Sequence, residues 1–483
     1  MKILLASSEA LPYSKTGGLA DMVGALAKFL ARAGHEIRLV TPLYRGIRVQ
    51  FPDIQPFDWD LDLPLDANRV QGKVWVREVD ERLTVCFIEQ PHFYERGDLY
   101  TERGMDYADN AERFIFFCKS VVHLARYLPW RPDLVHVHDW QAALVPVLML
   151  DQKLREGWST PPPTCLTIHN MAYQGNFPAA KFALTNLPPN YFQPDGLEYY
   201  GRLNCLKGGI RYADLLTTVS PRYAREITTE LYGCGLDGAL RDRQKSLFGI
   251  LNGVDYDEWK TEGNAFLKNS FTAVDLRGKE ADKAALQQQM GLPIAADIPL
   301  FGTVSRLADQ KGIDLELTAL QEMLAADMQV VFLGSGDREY ERAWRKLAER
   351  FPAKCAVKIG FDTALSHRIE AGCDFYIMPS RFEPCGLNQM YSLRYGAVPI
   401  VRLTGGLDDS VTDITENPEK ADGIKFAEYS VRALSKAIRK ALVLYGDKDL
   451  LAHYRRNGMA RDFSWERTAV EYASLYRKIP ALA

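Results

Sequence analysis

Short apolar runs alternate with helix-length segments along almost the whole chain, and this alternation restricts the fold more than any other feature. The first repeat has an apolar run at 2–7, a glycine-rich turn, apolar residues at helical spacing from Leu19 to Leu30, and a second apolar run at 37–40. Apolar residues three or four positions apart indicate a helix with one buried face. Two strands joined by such a helix form a parallel βαβ unit.

The alternation continues in two blocks. In the first half, apolar runs lie at 83–88, 134–137, 165–168 and 215–219, with a helical pattern at 108–128. A polar stretch at 251–275 interrupts the pattern, and it then restarts with runs at 299–304, 330–333, 356–359, 375–378, 399–403 and 424–426. A chain of 483 residues also exceeds what one core usually supports.

We therefore predict an α/β fold with two Rossmann-like, doubly wound domains facing a central cleft. The predicted amino-terminal domain covers residues 1–250 and the carboxy-terminal domain covers 251–460. Residues 461–483 contain Ala469, Tyr472, Ala473 and Tyr476 on one helical face. We predict a closing helix there that packs back across the cleft onto the first domain.

Charge and cysteine usage exclude several classes of function. The net charge is −3, and no long run of one sign offers a surface for nucleic acid or an anionic membrane. The longest apolar run, 142–150, contains Pro146 and is shorter than the roughly 20 residues that a spanning helix needs. The eight cysteines are scattered without a Cys-x-x-Cys pair, so we expect reduced thiols and a cytoplasmic protein.

His136 and His138 would share one face of a strand, because side chains repeat every two residues. A metal site needs a third or fourth ligand, and none is evident nearby in the sequence. We therefore predict no metal and no cofactor.

One glycine-rich turn lies between the first strand and the first helix. Residues 15–21, Lys-Thr-Gly-Gly-Leu-Ala-Asp, can expose backbone N–H groups at the positive end of that helix, which favours an anion. The alternative is an ordinary glycine turn in which Asp21 caps the helix.

Three further turns of this kind lie in the second half. Arg306 closes a strand and Lys311 opens a helix, a pair of cations suited to a diphosphate, although two solvated surface cations would give the same pattern. Residues 379–387 supply Glu383 and further N–H groups, and 404–406 repeat the strand, glycine turn and helix. Together the turns predict a cleft that holds a nucleotide diphosphate and a neutral sugar.

The motifs resemble the successive signature blocks of bacterial glycogen synthases and plant starch synthases. The matching stretches follow one another over nearly the whole chain, at 15–21, 136–140, 167–170, 206–209, 235–238, 250–255, 305–312, 380–387 and 404–407. The resemblance implies a GT-B fold and a retaining glucosyltransferase. Such an enzyme moves glucose from ADP-glucose to the non-reducing end of an α-1,4-glucan in glycogen biosynthesis, releasing ADP.

The resemblance also implies partners. These are a nucleotide sugar and an α-1,4-glucan, either glycogen or a maltooligosaccharide, with neither nucleic acid nor membrane. A homo-oligomer is among the assemblies that it leaves open.

Position by position, the resemblance implies site residues of three kinds. The catalytic residues would be Glu383 near the anomeric centre, His169 under the glucose ring and Asp21 near the transferred glucose. Asp139 and Trp140 would serve the acceptor. The donor or nucleotide would contact Lys15, Gly17, Gly18, Asn252, Arg306, Lys311, Phe361, Cys385, Gly386, Leu387, Thr404, Gly405 and Gly406.

Several of these residues have simpler interpretations. His169 could be a satisfied buried histidine, Trp140 could pack in the core, and Cys385 is better explained as a small buried filler than as a catalytic group.

The chain departs from the family pattern at two places. Many family members have Thr where this chain has Asn388, and Asn-Pro where this chain has Lys260-Thr261. Tyr391 stands where many other retaining enzymes of this fold have a second glutamate, which argues against those enzymes.

The expected transition state resembles an oxocarbenium ion, so it needs negative charge at the sugar and positive charge at the leaving diphosphate. Glu383 with Arg306 and Lys311 supply that polarity. One carboxylate without an obvious acid partner favours same-face attack over a covalent intermediate. The alternatives are a sugar-nucleotide epimerase and an inactive glucan-binding scaffold, and the sequence leaves the donor base, primer length and regulation open.

Overall fold

A computed structural model describes residues 1–479, and the chain divides into two compact units. Among the described residues, unit 1 contains Met1–Val219, Ala224–Gly253 and 465–479. Unit 2 contains Ser220–Tyr223 and Val254–Ser464. The divisions at 253/254 and 464/465 lie close to the predicted ones at 250/251 and 460/461. Within residues 1–479, no helix is both long and apolar enough to cross a bilayer.

Twenty strands are present in the described residues. They are β1 Lys2–Ala6, β2 Glu36–Pro42, β3 Gln55–Leu65, β4 Asn68–Asp80, β5 Leu83–Glu89, β6 Thr101–Glu102, β7 Met105–Asp106, β8 Leu134–His138, β9 Thr164–Ile168, β10 Asn176–Pro178, β11 Glu198–Tyr199, β12 Arg202–Asn204, β13 Leu215–Thr218, β14 Leu247–Gly249, β15 Leu300–Val304, β16 Gln329–Gly334, β17 Cys355–Ile359, β18 Phe375–Met378, β19 Val398–Arg402 and β20 Ile424–Phe426.

Eighteen α-helices accompany these strands in the same residues. They are α1 Gly18–Arg32, α2 Ile47–Gln50, α3 Pro91–Tyr94, α4 Asn110–Tyr127, α5 Asp139–Ala142, α6 Val145–Arg155, α7 Cys205–Tyr212, α8 Pro221–Glu226, α9 Asp237–Asp242, α10 Arg277–Gln289, α11 Ile313–Met323, α12 Arg338–Arg350, α13 Thr363–Gly372, α14 Asn388–Arg394, α15 Gly405–Ser410, α16 Val431–Gly446, α17 Lys448–Ala460 and α18 Trp465–Tyr476.

The main sheet of unit 1 has nine strands in the order β14-β13-β9-β8-β1-β2-β5-β4-β3. The seven strands from β14 to β5 are parallel, and each apolar run predicted in this half forms one of them. The prediction of a parallel sheet missed β3 and β4, which extend the edge as an antiparallel hairpin. Buried and exposed residues alternate along β3, as is typical of a sheet with one face in water, so no continuous apolar run marks it.

Unit 2 has one six-stranded parallel sheet in the order β17-β16-β15-β18-β19-β20. In chain order this is 3-2-1-4-5-6, the doubly wound Rossmann arrangement. The direction of winding reverses between β15 and β18, and ligands of such sheets bind beyond the carboxyl ends of the strands at that reversal. The loops after β15 and β18, residues 305–312 and 379–387, therefore begin at the position that this topology provides for a ligand.

The last described helix, α18, completes the core of unit 1. The Trp465 ring stacks on Phe29 of α1 with ring centroids 6.4 Å apart, and Tyr472 and Tyr476 are buried. A Cβ on Gly253 would come within 2.6 Å of Trp465, so only glycine permits this close approach of the chain.

Candidate active site

In unit 1 the glycine turn at 15–21 is anchored by a buried carboxylate. Glu9 is 3% exposed, and its side chain accepts hydrogen bonds from the Thr16 amide at 2.5 Å and the Thr16 hydroxyl at 2.7 Å. The Tyr100 hydroxyl donates to the same carboxylate at 2.7 Å. Sequence reasoning missed Glu9 and Tyr100, because no local pattern marks contacts between residues so far apart in the chain.

Gly17 and Gly18 are not required by the fold at this turn. A Cβ at either position would meet nothing within 4 Å, and the Gly17 φ of −159° is ordinary extended backbone. Their lack of side chains leaves the backbone at the start of α1 open to a ligand. Beside them, Lys15 Nζ contacts Asp21 Oδ1 at 2.6 Å, and both side chains are partly exposed.

The carboxyl ends of β8 and β9 bring three histidines together. His138 Nδ1 lies 3.1 Å from His169 Nε2, and the rings of His136 and His138 are 4.3 Å apart. Burial lowers the pKa of His136 to about 3 and the pKa of His138 well below its usual value. His169 keeps part of its surface exposed, and desolvation lowers its pKa to about 3, so all three rings are neutral at pH 7.

His136 is held by hydroxyl groups on both sides. Its Nδ1 lies 2.8 Å from Tyr476 Oη and its Nε2 lies 2.6 Å from Thr167 Oγ1. Within residues 1–479, no group of three or more His, Cys, Asp or Glu side chains is arranged to hold a metal ion.

Asp139 fixes the backbone at His169. It has a φ of 54°, a strained value for a residue other than glycine, and its Oδ1 accepts a hydrogen bond from the His169 amide at 2.7 Å. Burial raises the pKa of Asp139 to about 7, because desolvation outweighs the amide hydrogen bonds that stabilise the charge. Backbone strain of this kind is typical of functional sites.

Trp140 packs among neighbouring aromatic residues. Its ring meets Phe114 and Phe177 edge to face, with centroids 5.0 and 5.6 Å apart, and the Gly175 backbone lies against it. These contacts agree with the core-packing interpretation of Trp140. Asn252 follows β14, and its buried Oδ1 has no hydrogen-bond partner in the described part of the chain.

In unit 2 the loops after β15 and β18 bring Lys311 to Glu383. Lys311 Nζ lies 2.6 Å from Glu383 Oε2, and the Ser380 hydroxyl donates to the same oxygen at 3.1 Å. The Glu383 side chain is 7% exposed and the Lys311 side chain 21%. Since 72 residues separate the pair in sequence, this contact was not predictable from spacing. Arg306 and Phe361, which follow β15 and β17, are exposed, and Phe361 keeps 88% of its surface in solvent.

The loops around Glu383 and Gly405 are packed backbone against backbone. A Cβ on Gly405 would lie 2.0 Å from the Glu383 carbonyl oxygen, and one on Gly406 would lie 2.0 Å from that of Cys385. The Gly406 amide donates to the Glu383 carbonyl at 3.1 Å. Thr404 and Cys385, which neighbour these contacts, are buried. The close backbone contacts at Gly405 and Gly406 therefore hold the Glu383 loop in place.

Gly386 and Leu387 continue this loop into α14. Gly386 has a φ of 70°, in the left-handed region that favours glycine, and Leu387 precedes the first residue of the helix. The Gln389 side chain donates to the Cys385 carbonyl at 3.0 Å.

Two positions of α14, the departure at Asn388 and the tyrosine at 391, have structural roles. Asn388 donates to the Val304 carbonyl at 2.9 Å and contacts the Tyr376 hydroxyl at 2.6 Å, which ties the start of α14 to the end of β15. Tyr391 stacks on Trp259 with centroids 3.6 Å apart. The position of the absent second glutamate is thus occupied by an aromatic stack.

Two protein families match separate parts of the chain, one in each half. Residues 2–242 match the family described as the starch synthase catalytic domain, and residues 287–460 match glycosyl transferases group 1. A glycogen synthase of Anaeromyxobacter sp. (strain Fw109-5) is 45% identical over 482 residues, which cover 100% of both chains. Glycogen synthase 2 of Geobacter sulfurreducens is 41% identical over 477 residues, covering 99% of this chain and 98% of the relative.

Solved structures of other proteins are similar to this chain over almost its whole length. The catalytic domain of starch synthase IV from Arabidopsis thaliana, bound to ADP and acarbose, superposes with a TM-score of 0.89 at 35% identity and covers 99% of both chains. A sucrose-phosphate synthase from Thermosynechococcus elongatus shares the GT-B fold, with a TM-score of 0.61 at 19% identity over 100% of both chains.

Proposed function

Because the chain belongs to the glycogen synthase and starch synthase family, we propose that it transfers glucose from ADP-glucose to the non-reducing end of an α-1,4-glucan, with retention of configuration. Membership of this family makes the chain a hexosyltransferase of the GT-B fold. The proposed acceptor is glycogen or a maltooligosaccharide, and the proposed second product is ADP.

The contact between Lys311 and Glu383 supports this proposal most strongly. A buried carboxylate and an ammonium meet 2.6 Å apart, beyond the strands where the winding of the unit 2 sheet reverses. This is where a doubly wound sheet binds a nucleotide. Glycosyl transfer needs such opposite charges, one near the developing oxocarbenium ion and one near the departing diphosphate.

In the proposed mechanism, Arg306 and Lys311 neutralise the charge that develops on the diphosphate as the bond between glucose C1 and the diphosphate oxygen breaks. Glu383 stabilises the positive charge on the sugar. The acceptor hydroxyl attacks the same face from which ADP departs, and the leaving phosphate takes the hydroxyl proton. The single carboxylate favours this route over a covalent intermediate, since Tyr391, at the position of a second glutamate, is stacked on Trp259.

The unit 1 residues have proposed roles in the same reaction. Lys15, Gly17 and Gly18 would contact the donor phosphates through the open start of α1, and Asp21 would lie near the transferred glucose. His169, neutral at pH 7, can accept or donate a hydrogen bond to a sugar hydroxyl without adding charge.

Further donor contacts are proposed at Asn252, Phe361 and the loops around Cys385 and Thr404. The buried Oδ1 of Asn252 has no hydrogen-bond partner among the described residues, and a sugar hydroxyl could donate a hydrogen bond to it. The exposed ring of Phe361 suits stacking on a nucleotide base. A cytoplasmic location is also proposed, supported by eight cysteines that form no disulfide.

The decisive experiment incubates the protein with glycogen and radiolabelled ADP-glucose or UDP-glucose and measures label in precipitated glucan. We expect incorporation from ADP-glucose with equimolar ADP release, and no incorporation without glucan. Absence of incorporation from both donors by folded protein would contradict the proposal. Conversion of a nucleotide sugar into its epimer would favour the epimerase instead.

A further inference from the structure

A buried arginine donates hydrogen bonds to the backbone of the loop that contains Glu383. Arg402, the last residue of β19, is 8% exposed. Its Nε donates to the Ser380 carbonyl at 2.8 Å, its Nη2 donates to the Arg381 carbonyl, and its Nη1 reaches the Ala427 carbonyl at 3.3 Å. Among residues 1–479, no carboxylate forms an ion pair with Arg402, and its three hydrogen bonds all go to backbone carbonyls, while its guanidinium carbon lies 5.9 Å from the Tyr429 ring centroid.

Two of these carbonyls belong to the residues that set the position of Glu383. Ser380 also donates its hydroxyl to Glu383 Oε2 at 3.1 Å, so one residue is held by Arg402 and holds the carboxylate. Arg381 is fixed on its other side by Asp314, at 2.7 Å, and by the Tyr429 ring, 4.3 Å from its guanidinium carbon. The backbone before Glu383 is therefore constrained from both sides.

We propose that Arg402 is a positioning residue for the reaction: its guanidinium sets the loop at 380–383 so that the Glu383 carboxylate meets the reacting sugar. A guanidinium suits this role because its planar N–H groups can reach three carbonyl oxygens at fixed angles. An ammonium keeps the charge but is a single point donor, so lysine cannot reproduce the arrangement. The inference rests on the proposed glucosyl transfer, since it assigns Arg402 to the same carboxylate.

Arg243 offers a matched control in unit 1. Its guanidinium also donates to backbone carbonyls, those of Ile210 at 2.8 Å, Arg211 at 2.9 Å, Ala213 at 2.6 Å and Asp214 at 3.3 Å. Arg243→Lys therefore removes the same kind of fork from a place that has no contact with Glu383.

The test compares Arg402→Lys with Arg243→Lys in the full-length protein, with ADP-glucose and glycogen as substrates. We expect Arg402→Lys to lower kcat by about 10- to 100-fold, the scale of a small misplacement of a reacting group, and to change the donor KM less than kcat. Guanidinium at millimolar, non-denaturing concentration should partly restore kcat in Arg402→Ala and not in Glu383→Ala. Equal kcat values for Arg402→Lys and Arg243→Lys, at equal folded fraction, would overturn the inference.

A second measurement does not depend on turnover. Hydrogen exchange should accelerate in the peptide at 379–387 in Arg402→Lys and stay unchanged there in Arg243→Lys. Unchanged exchange in both variants overturns the inference even if the wild type is active. If the wild type transfers no glucose from either donor, the proposed function fails, and faster exchange confined to 379–387 would still support the positioning of the loop by Arg402.

Discussion

At the scale of single residues, the proposed mechanism gives Lys311 and Glu383 two different tasks, although the two side chains are in direct contact. The carboxylate is held by an ammonium and a hydroxyl, both directed at one oxygen. Such preorganisation lets charge stabilise a transition state without rearrangement at the moment of reaction. Substitution of either partner should therefore affect different kinetic quantities.

We expect Glu383→Gln to lower kcat by at least about 10²-fold, the scale for a lost electrostatic group, with little change in ADP affinity. Lys311→Met should instead weaken ADP binding more than glucan binding, because in the proposed mechanism its cation neutralises the diphosphate. Steady-state kinetics and calorimetric titration with ADP separate the two effects. Near wild-type turnover in Glu383→Gln, or unchanged ADP affinity in Lys311→Met, would contradict the proposed roles.

Sequence motifs marked the residues proposed for the candidate site. The side chains that hold those residues in position have no motif and could not be predicted. Glu383 and Lys311 each follow a readable strand and turn, whereas Glu9 and Arg402 show no local pattern. The hydrogen-bond partners of the Glu9 side chain lie 7 and 91 positions away in the sequence. Those of Arg402 lie 21 to 25 positions away. Side chains that fasten loops through long-range hydrogen bonds become evident only when the packing is known.

At the scale of elements, strands buried on both faces were predictable and the half-exposed hairpin was not. β1 and β16 contain continuous apolar runs and β8 is buried over its whole length, as expected of parallel strands covered by helices. β3 alternates apolar with charged residues, and β4 is largely polar apart from the three apolar residues 74–76, so neither strand is marked by a long apolar run. The cores of both sheets could thus be derived from the sequence, and the edge of the unit 1 sheet could not.

The histidines of β8 and β9 make unit 1 sensitive to acid. The pKa of His136 falls from 6.5 to about 3 on burial, so the folded state binds its proton more weakly than the unfolded state. The stability from the neutral ring is complete above pH 6.5 and is lost as pH falls toward 3. The slope is at most about 1.4 kcal/mol per pH unit for one proton.

We expect the difference in Tm between wild type and His136→Asn to narrow from pH 7 to pH 5. Differential scanning calorimetry at both pH values measures it, and the subtraction cancels the opposite contribution of Asp139, which both proteins retain. His92→Asn, at an exposed position, is the control and should follow the wild type. A Tm difference independent of pH would show that His136 does not titrate on unfolding.

The two glycine pairs should respond differently to alanine. At Gly17 a Cβ meets only open space, whereas at Gly405 it would lie 2.0 Å from a carbonyl oxygen. We expect Gly17→Ala to keep the Tm within about 1 °C and to weaken ADP-glucose binding, and Gly405→Ala to destabilise unit 2 by about 1–3 kcal/mol. Thermal unfolding and donor KM check both. Loss of stability in Gly17→Ala would contradict the assignment of that glycine to a ligand.

At the scale of the whole molecule, the chain leaves unit 1 after Gly253 and returns to it at Trp465. Length and the polar stretch at 251–275 predicted two domains, because the alternation of strands and helices stops and restarts there. The parallel pairing in the core of each sheet was predictable from the βαβ rule. The placement of Ser220–Tyr223 in unit 2 was not, since its contacts, such as Ser220 to the Pro384 carbonyl at 2.8 Å, join distant segments.

Two tryptophans allow the stability of each unit to be tested separately. Trp465 stacks on Phe29 in unit 1, and Trp344 stacks on Phe332 in unit 2 with centroids 4.2 Å apart. Each substitution by alanine should cost about 3–5 kcal/mol, the range for a buried aromatic, and only in its own unit. Hydrogen exchange resolved by peptide measures this. Equal loss of protection in both units for Trp465→Ala would contradict the assignment of α18 to unit 1.

The return of α18 to unit 1 also determines the order in which the protein is completed during translation. The ribosome synthesises all of unit 2 before it reaches Trp465, although unit 1 begins at the first residue. Domains form as soon as their segments have emerged, so unit 2 can close while the surface of α1 that receives Trp465 is still uncovered. The domain that starts first is therefore finished last, and the surface of α1 that receives Trp465 stays uncovered until α18 has been synthesised.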